Sequence, residues 1–297
     1  MTNALWVLRL ARGCGVYPCG VAQQLQVRRL GDLDVLAWPA FDGLGLDAMV
    51  TTRQGGVSQG PYATLNLGLH VADDDKAVLE NRGRAAAALG ADLSDMVFCN
   101  QSHGRAVAVV TAADRGRGTL SLADAIDSTD ALVTTEPGIA LVVMVADCVP
   151  IVLHDPVAHV LGCVHAGWRG TVARVSEAAV DVMSTLGASP ADVIACLGPA
   201  IAPDRYQVGA DVAEAAQQCF GAQAAEVLRP DGTGHWLFDL WTANRIVLRQ
   251  AGLRDDNVHV AAEPTGTHGS GHFFSDREAR PCGRFAAIAR LHVRSAP

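Results

Sequence analysis

No stretch of this chain approaches the roughly 18–20 uninterrupted apolar residues that a membrane-spanning helix requires. The nearest run, Ile139–Leu153, is too short and is broken by Asp147. A basic stripe is also missing. Lys and Arg total 23 against 31 Asp and Glu, a formal net charge of −8, which argues against a nucleic-acid backbone as partner. The basic residues at Arg115–Arg117 and Arg277–Arg284 are interrupted by acids and glycines. The first group reads as solvated surface, and the second leaves small-molecule anion binding open. Eight cysteines in 297 residues are too dilute for a disulfide scaffold, so reduced thiols and a cytoplasmic protein are expected. Cys14 and Cys19 are spaced for a pair but sit in an unpatterned segment. Arg9 and Arg12 are not followed by an apolar core with a small-residue cleavage site, which predicts no signal peptide. Internal repeats and long linkers are absent.

What is present is a compact-protein composition, 49% hydrophobic and 18% charged. Residues 1–30, rich in Gly and Arg without a sustained period, predict a loosely ordered leader, and 31–297 a single domain. Val35–Trp38 and Ala48–Thr52 read as strands around a Gly-rich turn at Asp42–Gly45, and Arg53–Asn66 as a structured loop. Lys76–Leu89 has helical spacing and a stop at Gly90. Val97–Cys99, Ala106–Thr111, Ala131–Thr135, Ile139–Val145, Val149–His154 and Val160–His165 read as strands. Leu141–Val145 is apolar throughout, which implies burial on both faces. Thr171–Leu186 predicts one amphipathic helix, with Val172, Val175, Ala179, Val182 and Leu186 on its stripe and Gly187 at its end. Val193–Leu197 as a strand, Ala210–Phe220 and Asp239–Ala251 as helices, and Val258–Ala261 and Phe285–Leu291 as closing strands complete the pattern. The many β–β steps disfavour a doubly wound parallel sheet and predict an α+β fold of layered mixed sheets with flanking helices.

Three clusters fall at predicted strand ends, where a rigid element aims a side chain and the loop leaves room for substrate. They are Gln101-Ser102-His103-Gly104, Ala146-Asp147-Cys148-Val149-Pro150 and His165-Ala166-Gly167-Trp168-Arg169-Gly170. Two histidines and a cysteine with one open position describe a catalytic zinc site, though copper accepts the same donors. Spacing alone leaves alternatives open: a buried hydrophobic Cys, a turn His, or a Cys-His nucleophilic pair oriented by Asp147. His268 and His272 lie four apart in a Gly-rich loop, where helical ligand spacing does not apply.

The segment Thr51–Ser58, followed by Gly60-Pro61-Tyr62 and Leu65–Gly68, resembles the opening signature of the YfiH-like family, also labelled multicopper polyphenol oxidase (laccase-like) and purine nucleoside phosphorylase. Ala146–Pro150, His165–Gly170, Leu197–Pro199 with Tyr206–Gly209, and Phe273–Ser275 continue the match in order from about Val35 onward. The resemblance implies a zinc-dependent enzyme that phosphorolyses adenosine, inosine and methylthioadenosine and deaminates adenosine. It also implies His103, Cys148 and His165 as metal ligands. Four features depart from it. Ser102 stands for an apolar residue and is expected to point away along a strand, Asp276 replaces an aromatic, Glu278 interrupts a basic pair, and Asp114–Asp127 reads as a surface insertion.

Phosphorolysis needs an anion site. Arg53 and Arg169 are the candidates, because a guanidinium fork matches phosphate; an ion pair is the alternative for Arg169. Gly55 and Gly56 would bring backbone N–H groups to the same anion. Asn66 would meet the sugar or base, unless it only closes the turn before Gly68. Asp147 would orient a histidine ligand or relay protons. Purine nucleoside and phosphate are thus the expected partners, with the chain a monomer or homodimer. A copper-dependent polyphenol oxidase is the competing enzyme, but such sites use about ten His largely as His-x-His pairs, and no such pair occurs here. A non-catalytic zinc-stabilised protein would require a fourth ligand, and none is obvious.

Overall fold

The computed structural model describes residues 25–293. Its centre is two six-stranded mixed sheets packed face to face. From edge to edge, the first runs Gln26–Leu30, Leu33–Ala37, Leu46–Thr51, Phe285–Leu291, Ala140–Val145 and Met96–Phe98. The second runs Val258–Val260, Ile194–Leu197, Val149–Asp155, Val160–Ala166, Ala131–Thr134 and Val107–Val109. Three pairings are parallel (Met96–Phe98 with Ala140–Val145, Val107–Val109 with Ala131–Thr134, and Ile194–Leu197 with Val258–Val260) and the others antiparallel. A small third sheet, Gln207–Val208, Trp236–Phe238 and Leu228–Pro230, was not legible in the sequence.

The apolar runs follow from this layering. In Ala140–Val145, Leu141, Val143 and Val145 point between the two sheets, together with Ala287, Ala289, Val152 and Cys163. Ala140, Val142 and Met144 point outward to a second core with Ala85 and Ala86 of the helix Asp75–Ala88. On the far side, Val149, Ile151, Leu153 and Val164 pack against Val175, Ala179 and Met183 of the helix Val175–Thr185 and Val247 of the helix Leu240–Gln250. Each central strand therefore lies in an α/β/β/α sandwich with apolar contacts on both faces, as its unbroken apolar run requires.

The helix starts at 75 and 240 are set locally. Asp74 accepts a hydrogen bond from the Lys76 amide at 3.0 Å, and Asp239 from the Thr242 amide at 3.0 Å. The single helix expected over Thr171–Leu186 is instead two, Trp168–Val172 and Val175–Thr185, broken at Arg174 in the left-handed region with φ +63°. Arg174 is held there by a bidentate pair to Glu177, at 2.6 and 2.8 Å, and by Gln250 at 2.7 Å. The break turns the buried stripe to Val175, Ser176, Ala179, Val180 and Met183.

The expected leader reaches too far. Gln26–Leu30 forms a hairpin with Leu33–Ala37, register Leu30↔Leu33, through Gly31 at φ +57°. An exposed edge strand made by pairing rather than burial carries no apolar alternation to read. The rest of that leader, with Cys14 and Cys19, lies outside the described residues. The expected surface insertion is also anchored. The guanidinium of fully buried Arg82 donates to the carbonyls of Gly118 and Thr119 at 2.6 and 2.8 Å, and Leu122 lines the main cavity.

Candidate metal centre

His165 is on the strand Val160–Ala166 and Cys148 immediately precedes Val149–Asp155. The antiparallel register Val149↔Ala166, Pro150↔His165 puts both at the same sheet end. His103 arrives from the loop after Met96–Phe98. That loop is tied to the neighbouring strand by the Gln101 side chain, whose Nε2 donates to the Met144 carbonyl at 2.7 Å while its Oε1 accepts from the Met144 amide at 2.8 Å. The amide thus mimics one more strand residue. His103 itself takes φ +60°, uncommon for a non-glycine residue. The result is one cluster of His103, Cys148 and His165 ligand atoms within 4.8 Å of one another.

The residue that organises this cluster is Asp130, which the sequence reading missed. Its carboxylate is fully buried. Oδ1 pairs with His165 Nδ1 at 2.8 Å and accepts from the His103 amide at 3.0 Å. Oδ2 accepts from the Gly104 amide at 2.6 Å and the Ser102 hydroxyl at 3.0 Å. One acid thereby fixes the His103 loop and, by holding Nδ1–H, leaves His165 Nε2 free as a donor atom. Ser102, expected to point away along a strand, sits in a loop and binds this acid because the chain turns at His103. Asp130 lies just ahead of Ala131–Thr134, the strand that pairs with the one carrying His165, a neighbourhood that no local sequence signal marks.

The electrostatics suit a metal. Burial alone would raise the Cys148 thiol, but the His165 charge and hydrogen bonds from His103 and His165 outweigh it and hold the thiol down at about 6. Burial alone would lower His165, yet the Cys148 thiolate and Asp130 push it up to about 9. Asp130 is depressed to about 2: burial opposes ionisation, and the His165 and Gly104 hydrogen bonds overcome it. A thiolate facing two imidazoles is a donor set ready to exchange its protons for a divalent cation. Gly167 completes the fit, since a Cβ there would lie 2.8 Å from Cys148 Sγ and 3.1 Å from His103 Cδ2.

The cluster borders a cavity of about 560 Å³, also lined by His70, Trp168, Tyr206 and four arginines, Arg169, Arg277, Arg280 and Arg284. Arg169 is exposed and lies over the Trp168 ring at 4.4 Å. Arg277 lies over Tyr206 at 5.1 Å and donates to the Gln207 carbonyl at 3.0 Å. The last three come from the carboxyl-terminal loop, where the sequence reading carried anion binding no further than Arg277.

Several expected site residues lie elsewhere. Arg53 is not on this cavity. Its Nε donates to the Ala63 carbonyl at 3.0 Å and its guanidinium stacks 4.6 Å from Phe274. Gly56 faces the Thr64 carbonyl, 2.2 Å from where a Cβ would stand, and its amide donates to Thr64 Oγ1. Gly55, at φ +90°, gives its carbonyl to Arg84. Fully buried Asn66 closes the turn, accepting from the Gly68 amide at 2.9 Å, and also accepts from the Arg284 amide at 2.8 Å. None of these four lines the cavity beside the cluster. Asp147, at φ +86°, borders the cavity but touches neither histidine. It accepts from Thr265 Oγ1 at 2.5 Å and from the Arg277 amide at 2.7 Å, so it positions the arginine loop.

The family model described as multi-copper polyphenol oxidoreductase laccase matches residues 47–292. A Geobacillus stearothermophilus protein named purine nucleoside phosphorylase YlmD is 36% identical over 245 residues, 82% of this chain and 89% of that protein. A Deinococcus radiodurans purine nucleoside phosphorylase is 44% identical over 205 residues, 69% and 75% of the two chains. The crystal structure of YlmD from Geobacillus stearothermophilus superposes with a TM-score of 0.85 at 35% identity, covering 90% of this chain and 99% of that one. The YfiH structure from Bacillus licheniformis gives 0.84 at 33% identity, covering 89% and 98%. Sharing its sheets, its motifs and most of its length with these proteins, the chain belongs to the YfiH-like, multi-copper polyphenol oxidoreductase laccase family.

Proposed function

We propose that the protein is a zinc-dependent purine nucleoside phosphorylase, acting on adenosine, inosine or methylthioadenosine, with adenosine deamination as a second activity of the same site. The observation that carries the reading is one His103–Cys148–His165 cluster opening into an arginine-lined cavity. The relatives named purine nucleoside phosphorylase support the reaction class. Three protein ligands leave a fourth position open, as a catalytic rather than a structural zinc site does.

His103, Cys148 and His165 would hold the ion, which when bound supplies Lewis acidity and a water of lowered pKa, the latter being what deamination needs. Arg280 and Arg284, with Arg169 and Arg277, hold phosphate beside the sugar. Their guanidinium forks match phosphate geometry, and bidentate N–H pairs fix the anion's orientation for attack at the anomeric carbon. Asp147 keeps Arg277 in place through its backbone amide. The cavity walls of Trp168 and Tyr206 give the purine an apolar surround. The copper oxidase reading has less support. A cluster of metal-donor side chains occurs once among the described residues, and a multicopper enzyme needs several centres.

Incubation of zinc-loaded protein with adenosine, with and without phosphate, tests the reading. Adenine and ribose-1-phosphate appearing only with phosphate is the expected result, and inosine marks deamination. Neither product at full zinc occupancy would sink it.

A further inference from the structure

Two of the four cavity arginines are already paired to an acid. Asp276 Oδ2 accepts from Arg280 Nη2 at 2.7 Å and Nε at 2.8 Å, and its Oδ1 meets Arg284 Nη2 at 3.3 Å. No such pair engages Arg169 or Arg277 among the described residues. Arg284 does not depend on Asp276 for its placement. Its Nη1 donates to the carbonyls of Cys282 and Gly283 at 3.0 and 3.1 Å and lies 3.1 Å from Cys282 Sγ. Its backbone amide is held by buried Asn66. Gly68 packs against its stem, where a Cβ would stand 2.9 Å from Arg284 Cγ. Nη2 is thus aimed at Asp276 by groups that would remain if Asp276 left.

A carboxylate bridging two guanidinium groups presents two anionic oxygens, the arrangement a phosphate also offers. We propose that Asp276 is an internal competitor that sets the cavity's affinity for phosphate: its carboxylate fills the position between Arg280 and Arg284 that an incoming phosphate must take. The inference rests on reading the cavity as a phosphate-using site. Phosphate, with a charge between one and two at neutral pH and more acceptor oxygens, displaces the monoanion. Asp276 moves out toward solvent, where its side chain is already 30% exposed. Neutralising it removes both the competitor and its repulsion of the ligand.

The test is calorimetric titration of the zinc-loaded full chain with inorganic phosphate, without nucleoside. Asp276→Asn is expected to tighten phosphate binding about three- to fivefold, the upper end of the scale of one partly exposed charge pair. Asp276→Glu, which restores the charge, should stay within about twofold of the parent. The KM for phosphate should fall with the Kd, and the KM for nucleoside should move less. Should Asp276→Asn fail to fold, Asp276→Ser supplies the same neutral arm. Unchanged or weaker phosphate binding in the neutral variant overturns the inference, and would place phosphate on Arg169 and Arg277 alone. Tighter binding without phosphorolysis would leave this inference standing and sink the functional reading; phosphorolysis with unaltered phosphate affinity would do the reverse.

Discussion

Arg53, Gly56 and Asn66 lie in the most densely marked segment of the sequence, Thr51–Gly68, and all three are engaged in holding the chain to itself. Asn81 knits that loop from the neighbouring helix, donating to Ser58, Thr64 and Asn66 and accepting from the Val57 amide. Around Cys148 the pattern is reversed. There the ligand atoms of three residues converge on a common point, and Arg169 has an aromatic face but no acid among the described residues. A strong motif therefore marks a position with strict demands, which packing can impose as well as chemistry. The difference lies in whether polar groups find their partners inside the protein. In the first region Gly56, Asn66 and Asn81 bond back to the chain; in the second, side chains border an open cavity.

Substitutions can break this comparison. The largest effect is expected at Cys148. Cys148→Ala should reduce bound zinc, measured by elemental analysis, to background and lower phosphorolysis by roughly a thousandfold or more. A variant that loses metal yet keeps full activity would remove the metal from the mechanism. In metal-free protein the same thiol, held at about 6 instead of 9.0, should alkylate with a pH midpoint near 6, falling off as acid protonates it. Zinc should protect it.

Next in size is Asp130→Ala, expected to weaken zinc affinity about 10- to 100-fold, as loss of a histidine's carboxylate partner does elsewhere. The same acid gives a stability signature in metal-free protein. Its folded pKa of about 2 lies below the ordinary 3.8, so its contribution is present above about pH 4 and lost as pH falls through 2. Denaturant titrations should show this decline in the parent and not in Asp130→Asn. Arg284→Ala should raise the KM for phosphate about tenfold. Arg53→Ala sharpens the contrast from the other side: a loss of about 1–2 kcal/mol in stability from the broken stack and hydrogen bond, with phosphate KM within about twofold. A tenfold KM change there would return Arg53 to the site and erase the distinction between the two regions.

The clustering of His103, Cys148 and His165 was foreshadowed by short motifs near the ends of apolar strands, and motif resemblance linked the three. Asp130 was not legible, because its partner His165 is 35 residues away and no local pattern joins them. Asp147 was expected to orient a histidine ligand or relay protons. Its motif places it beside Cys148, but the left-handed backbone at +86° sends the carboxylate to Thr265 and Arg277 instead. The carboxyl-terminal arginines were visible as residues but not as a wall of the cavity, since only the folded loop shows which of them meet Asp276. The break at Arg174 escaped for a related reason. Helical periodicity runs through it, and the bidentate pair with Glu177 that accompanies the left-handed turn is a matter of geometry.

By itself the sequence determined the layered α and β elements, the two-sided burial of Ala140–Val145 and the helix start at Asp239. These depend on side-chain chemistry and on neighbours within a few residues. Only the tertiary structure decided which polar groups are saturated and which remain open. That is how Asp130 came to organise the donor cluster, how Asn66 and Arg53 came to bond back to the chain, and how Asp276 came to stand between two arginines. Hydrogen-bond satisfaction is a property of everything within about 3 Å of an atom, and most of those neighbours are far away along the chain.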